Sequence, residues 1–199
     1  MARHSRAISG GLAAAATALL ACGGGASGGA AAGSEATPAP VPTAVVAEDR
    51  LFVVEAFGAP PADTVVRFDR TLPRVIILRH APPDNSPFAE LHFPAGAFDG
   101  AGEVEVRVTV VPGVYGLEFT TSADLRPVAR VTFKYPLHFA APAGARERYG
   151  SDVLFEQALV VGQVLPEGRV ALLPSTRPAA DNLTAAIPGT GRYLAVAPR

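Results

Sequence analysis

Tryptophan is absent from this chain, and cysteine and lysine each occur once, as Cys22 and Lys134. A single cysteine cannot close an internal disulfide, so no cystine framework holds the fold. Without tryptophan, the usual aromatic platform of a carbohydrate-binding face is missing. Charge of one sign is lacking too: 17 basic residues face 18 acidic ones, a formal net charge of −1. That excludes the large basic footprint of nucleic-acid binders. The excess of arginine over lysine reads as the codon bias of a GC-rich bacterial genome. Charged residues make up 18% and apolar ones 49%, so a core can be buried and global disorder is not expected.

The longest apolar run lies at the amino terminus. Arg3, His4 and Arg6 precede residues 7–21, which include Ile8, Leu12, Leu19 and Leu20. This is the layout of a secretory signal. Fifteen residues span roughly 22 Å as a helix, short of the ~30 Å hydrocarbon core. A permanent membrane span is therefore the weaker reading. Leu19-Leu20-Ala21-Cys22 resembles the bacterial lipobox. The resemblance implies cleavage after Ala21 and acylation of Cys22, with membrane lipid as partner through that residue. Two or more acyl chains suffice for stable anchoring. Gly23, rather than Asp, follows the cysteine, as in lipoproteins sent to the outer membrane where two membranes exist. Losing residues 1–21 would remove Arg3 and Arg6 and no acid, giving a mature charge of −3.

The next stretch, to about Val46, is Gly, Ala, Ser and Pro, ending in "TPAPVPTAVV". It reads as a flexible spacer with a stiffer proline-containing end, about 25–30 Å long on average. The expected organisation is thus a signal segment over 1–21, a lipidated Cys22 with linker over 22–46, and a folded domain over 47–199.

Within that domain, period-2 alternation dominates. In "EVEVRVTVV", from Glu103, four valines (104, 106, 108 and 110) face one way and Glu103, Glu105, Arg107 and Thr109 the other. "VARVTFKY" repeats the pattern, with Ala129, Val131, Phe133 and Tyr135 inward. "ELHF" puts Leu91 and Phe93 inward and His92 outward. Further strands are expected over 51–57, 64–69, 74–79, 115–120, 158–165, 169–173, 184–187 and 193–197, and a short helix over 151–157. Turn signals such as "APPDNSP", "VPGVYG" and "IPGTG" separate them. About ten short strands predict an all-β, Ig-like β-sandwich, with a closed barrel as the alternative.

The segments "LHFPAGAF", "VPGVYGLEF", "RPVARVTFKYP", "GQVLPEGRVALLPS" and "TAAIPGTGRYLAVA" resemble successive strands and loops of ZU5-type domains, over roughly residues 88–199. The resemblance implies a sandwich used in scaffolding or protein contact. Members often carry a late-strand Trp, which is missing here. Some cleave themselves at His-Phe-Ser, whereas the matching place reads Gly191-Arg192-Tyr193 and a second His-Phe, His138-Phe139, is followed by Ala140. Self-cleavage is not expected.

No chemistry-bearing constellation stands out. His80, His92 and His138 lack the spacing of a metal motif, and Arg79 beside His80 opposes a cation there; they read as surface or strand-end histidines, with no metal expected. Asp84, Asn85 and Ser86 in one loop, or Asp181 and Asn182 in another, could join a histidine in a hydrolytic triad. No Gly-x-Ser-x-Gly marks a nucleophile, and Asp-Asn-Ser between prolines is turn chemistry. One loop carboxylate is far from what calcium takes. No catalytic residue and no cofactor is expected. Tyr115, in a Pro-Gly loop, is the candidate contact residue, against a plain reading as a core-capping tyrosine. The leading expectation is a lipid-anchored cell-envelope protein whose non-catalytic sandwich contacts another envelope protein. The alternative is a module binding a small ligand, carbohydrate or metal through the His80–Ser86 region.

Overall fold

The computed structural model of the protein describes residues 38–136 and 141–199. Ala21, Cys22 and His138 lie outside them. Thirteen strands form two antiparallel sheets among the described residues. They are β1 (Ala44–Ala47), β2 (Leu51–Val53), β3 (Thr64–Asp69), β4 (Arg74–Arg79), β5 (Pro87–Phe93), β6 (Glu103–Val110), β7 (Gly116–Thr121) and β8 (Arg130–Lys134). Two short helices, α1 (Ala145–Tyr149) and α2 (Asp152–Gln157), precede β9 (Val160–Leu165), β10 (Arg169–Leu173), β11 (Ser175–Thr176), β12 (Asn182–Ala186) and β13 (Gly191–Pro198). The larger sheet runs β1-β10-β9-β13-β7-β6-β3, with β2 also on β13; the smaller runs β11-β12-β8-β5-β4. The chain is an all-β sandwich.

Alternation decides which faces meet. Val104, Val106 and Val108 of β6 are buried against Leu91 and Phe93 of β5 and Val131 and Phe133 of β8 in one inter-sheet core. The outward side chains form polar cross-strand rows. Arg67 of β3 and Arg107 flank Glu105, with contacts of 2.6 and 2.5 Å. On the smaller sheet Lys134 pairs with Glu90 at 3.1 Å, and Thr132 meets Thr184 at 2.9 Å.

The larger sheet does something alternation alone does not announce. Ala47 pairs with Arg169 on β10, while Leu51, four residues later, pairs with Pro198 on the far edge of β13. On a flat sheet those positions would lie four strand spacings apart, about 19 Å. Four residues reach at most about 14 Å. The sheet must therefore roll over, and its concave side holds a second core of Leu51, Val170, Leu172, Leu194 and Val196. Leu194 sits in register with Gly116 on one side and Gly162 on the other. A Cβ on Gly116 would meet Leu194 Cδ2 at 2.5 Å, and one on Gly162 would meet Val170 Cγ1 at 2.6 Å. Both positions need glycine for room.

Several boundaries shift from the sequence reading. The linker, read as running to Val46, ends in strand: Ala44–Ala47 pairs with β10 and Val46 packs on the second core. The strand expected over 51–57 stops at Val53, although residue 55 still bridges Val114. The expected helix is α2, with the Ser151 hydroxyl accepting from Leu154 N at 3.2 Å as its cap. Helix α1 was not foreseen; Gly144 and Gly150, both left-handed, bound it. No described helix is long and apolar enough to cross a membrane.

Candidate functional site

The site lies at the end of the sandwich where β4 runs into β5 and where β8 ends. Beyond Arg79 the chain turns through residues 81–86 and returns, with His80 N donating to Ser86 O at 2.9 Å. Asn85 takes a left-handed conformation, φ 52°, in this turn. Across from it, Tyr115 N donates to Val54 O and Tyr115 O accepts from Ala195 N, both at 2.8 Å. Those two bonds fix the tyrosine at the entrance to β7. Tyr135, the residue after β8, donates its N–H to Asp181 O at 3.0 Å and so brings the residue-181 turn alongside.

These elements enclose a cavity of about 460 Å³. Its wall is aromatic: Tyr115 stacks on Phe88 with ring centres 5.0 Å apart and 14° between planes, and His80 stands edge-on to Phe88 at 5.3 Å. Asp84, Ser86 and Asp181 border it, with Lys134 and Tyr135, and Phe57 stands 67% exposed at its side.

Two deeply buried residues with polar ends line this cavity. Tyr115 is 2% exposed and His80 5%. Of the four tyrosines in the chain, three have a hydroxyl that donates to a named acceptor. Tyr135 reaches Glu156 at 3.0 Å and Ala180 O at 3.1 Å, Tyr149 reaches Pro198 O at 2.5 Å, and Tyr193 reaches Gly189 O at 2.6 Å. The Tyr115 hydroxyl has no hydrogen-bond partner among the described residues. A buried phenol ordinarily finds one. His80 Nδ1 lies 3.3 Å from Ala59 O. A carbonyl only accepts, so in the neutral ring this contact places the proton on Nδ1 and leaves Nε2 as the acceptor.

The charges around the cavity are uneven. Lys134 is paired with Glu90. Asp84 and Asp181 have no ion pair and no side-chain hydrogen bond with the described residues, and both border the cavity. Burial, with the nearby charge of Asp84, pushes the Tyr115 phenol up to about 12. Burial likewise pushes Tyr135 up to about 12, helped by its bond to Glu156 and opposed by Arg177.

A broader depression of about 540 Å³ lies along residues 120–125 and 189–190. Its hydroxyls already serve the backbone: Thr121 Oγ1 donates to Ala123 O at 2.6 Å, and Ser122 Oγ accepts from Glu105 N at 2.9 Å. It leaves few groups for a ligand.

The sequence reading named the His80–Ser86 region, with Asp84 and Ser86 in its loop, as one candidate and Asp181 and Tyr115 apart from it, and the structure gathers all five residues around one cavity. His92 lies on the exposed face of the smaller sheet, and Asn85 offers its carbonyl to Arg79 at 3.2 Å. His80, read as a surface or strand-end histidine, does end a strand but is buried, because the turn at 81–86 folds Phe88 and Tyr115 over it. Phe57, Lys134 and Tyr135 were missed as lining residues. Lys134 and Tyr135 were read only as strand positions, and only the contact between β8 and the residue-181 turn reveals their place.

No group of three or more His, Cys, Asp or Glu side chains among the described residues is placed to hold a metal ion. No protein-family model, no curated protein and no solved structure matches this chain.

Proposed function

We propose that this chain is a lipid-anchored, non-catalytic binding protein of a bacterial cell envelope, and that it holds a small ligand in the cavity beneath Tyr115. Cys22 is the lipid attachment point, Ala21 the cleavage position, and the spacer lets the sandwich stand off the membrane. The observation that carries the ligand reading is the Tyr115 hydroxyl, which ends a ring only 2% exposed and has no partner among the described residues at the cavity wall. A ligand group placed there would gain a hydrogen bond that the described residues do not supply, worth about 0.5–1.5 kcal/mol. Non-catalytic is the better reading of the same residues. His80 Nδ1 is held by the Ala59 carbonyl, where a hydrolase would place its orienting carboxylate. No hydrogen bond links the Ser86 hydroxyl to His80. The resemblance of residues 88–199 to ZU5-type domains fits a two-sheet sandwich used for contact rather than chemistry.

Two experiments test the two halves. Cys22→Ala should abolish acyl labelling and leave an unprocessed precursor; normal cleavage and release would refute the anchor. Tyr115→Phe keeps the ring and removes only the hydroxyl. In a fragment screen on the full chain, hits whose chemical shifts map to His80, Asp84 and Tyr135 should weaken in that variant. Hits that map elsewhere would remove the cavity from the argument.

A second reading, contact with another envelope protein, rests on β4. It is the outer strand of the smaller sheet, and Val75 and Ile77 on its outward face are 47% and 46% exposed. Arg74 and Arg79 close it at both ends. Such an edge suits an added strand, here one with carboxylates flanking an apolar pair.

A further inference from the structure

We infer that the cavity selects a compact organic cation, a molecule carrying a protonated primary amine, because Asp84, Asp181, His80 and Tyr115 bring acceptor groups to its lining and no unpaired cation borders it among the described residues. This inference rests on the proposed ligand-binding role of that cavity.

The groups facing the site support it one by one. Asp84 and Asp181 arrive from two different turns and neither has a charged partner among the described residues. Lys134, the one Lys or Arg on the wall among the described residues, is paired with Glu90 at 3.1 Å. Arg79 is exposed and donates Nη1 to the Asn85 carbonyl. Arg177, behind Tyr135, is engaged with the carbonyls of Gln157 and Leu159, at 3.3 and 2.8 Å. His80 offers an acceptor, since its proton is committed to Ala59. A primary ammonium has three N–H donors and a full positive charge, which matches two carboxylates and a neutral acceptor nitrogen.

Competing ligand classes fit less well. A bare divalent cation lacks a group of three ligating side chains among the described residues, and calcium wants six to eight oxygens. An anion would meet two unpaired carboxylates. A neutral sugar can donate hydroxyl protons, yet it leaves both negative charges uncompensated. The cavity, at about 460 Å³, leaves space for the organic body of the ligand. Phe57 at its side offers an exposed ring face to a cation. Burial does most to raise the Tyr115 phenol, and the charge of Asp84 adds to it.

The test compares glucosamine with glucose, which differ by an amine in place of one hydroxyl, and adds putrescine as a linear amine. Each is titrated calorimetrically into the full chain, with thermal melts confirming that the variants fold. The expected result is saturable binding of at least one amine and none of glucose. Asp84→Asn and Asp181→Asn should each weaken the amine roughly ten- to hundred-fold, as loss of a charge-assisted hydrogen bond does. Glucose binding as tightly as glucosamine, lost in Tyr115→Phe but kept in both Asn variants, would overturn the cation while leaving the ligand cavity standing. No saturable binding by any of the three would overturn the cation inference. Amine binding unchanged in Tyr115→Phe and in both Asn variants would place it elsewhere and overturn the cavity reading as well.

Discussion

Two aromatic clusters in this sandwich are built alike and finished differently. In one, Phe52, Tyr149 and Phe155 meet edge to face with ring centres 5.6–6.4 Å apart. The chain closes it with its own groups: Tyr149 donates to Pro198 O, and Arg199 lies over Phe52 at 4.8 Å. In the other, His80, Phe88 and Tyr115 pack as tightly beside a cavity, and the Tyr115 phenol has no partner among the described residues. A cluster whose polar ends are all satisfied serves stability. On the proposed reading, one with ends left over takes its partner from outside the chain.

The sharpest way to break this comparison is to damage the closed cluster. Phe155 is fully buried among Phe52 and Tyr149. Phe155→Ala should lower the unfolding free energy by about 3–5 kcal/mol, read from urea denaturation. A loss below about 1 kcal/mol would mean that this cluster is not a structural anchor. Next in size is the rolled part of the larger sheet. Gly162→Ala drives a methyl against Val170 and Val196, and should cost about 1–3 kcal/mol without touching ligand binding.

The tyrosines sharpen the comparison further. Tyr193→Phe removes a bond to Gly189 O and should cost about 1 kcal/mol, whereas Tyr115→Phe, with no bond to lose, should cost a few tenths at most. Alkaline titration separates them from exposed phenols. Tyr115 and Tyr135 are pushed up to about 12 and Tyr193 is raised by deeper burial. The folded chain therefore holds these protons when unfolded tyrosines, near pH 10, have begun to release theirs. Their contribution is fully present below pH 10 and is lost as the pH rises toward 12. Tyrosinate absorbance should thus appear together with unfolding. Asp84→Asn should lower the Tyr115 phenol and leave Tyr193 unmoved; equal shifts at both would detach Asp84 from the cavity.

How much of this was legible in the sequence follows from which interactions are local. Alternation in 103–110 and 130–134 depends on neighbours two residues apart, so β6, β8 and their buried faces were readable. The helix cap at Ser151 is equally local. The roll of the larger sheet is not, because it depends on Ala47 and Leu51 finding opposite edges of a unit made more than a hundred residues later. Strand β1 was read as spacer for the same reason: "TAVV" has no pattern of its own and gains one only from β10. Of the cavity, the His80–Ser86 region was read as one candidate site, while Asp181 and Tyr115 were named apart from it. Tyr115 could not be told from an ordinary core tyrosine, since what distinguishes it is a missing partner, and a sequence does not display who fails to bond with whom.

Strand β4 gives the smallest effect on stability and asks whether the open cluster is special or merely near an exposed edge. It leads directly into His80, and its outward Ile77 touches solvent rather than either core. Ile77→Lys places a charge on an edge strand, a common device against strand addition. Its stability cost should stay within about 0.5 kcal/mol, and glucosamine or putrescine titrations should match those of the unaltered chain. What should change is crosslinking to an envelope partner, reduced if an acidic-flanked strand adds to β4. Were Ile77→Lys instead to abolish amine binding at unchanged stability, the cavity and the edge would be one surface. The difference between the two aromatic clusters would then reflect the position of β4 rather than the unmatched hydroxyl of Tyr115.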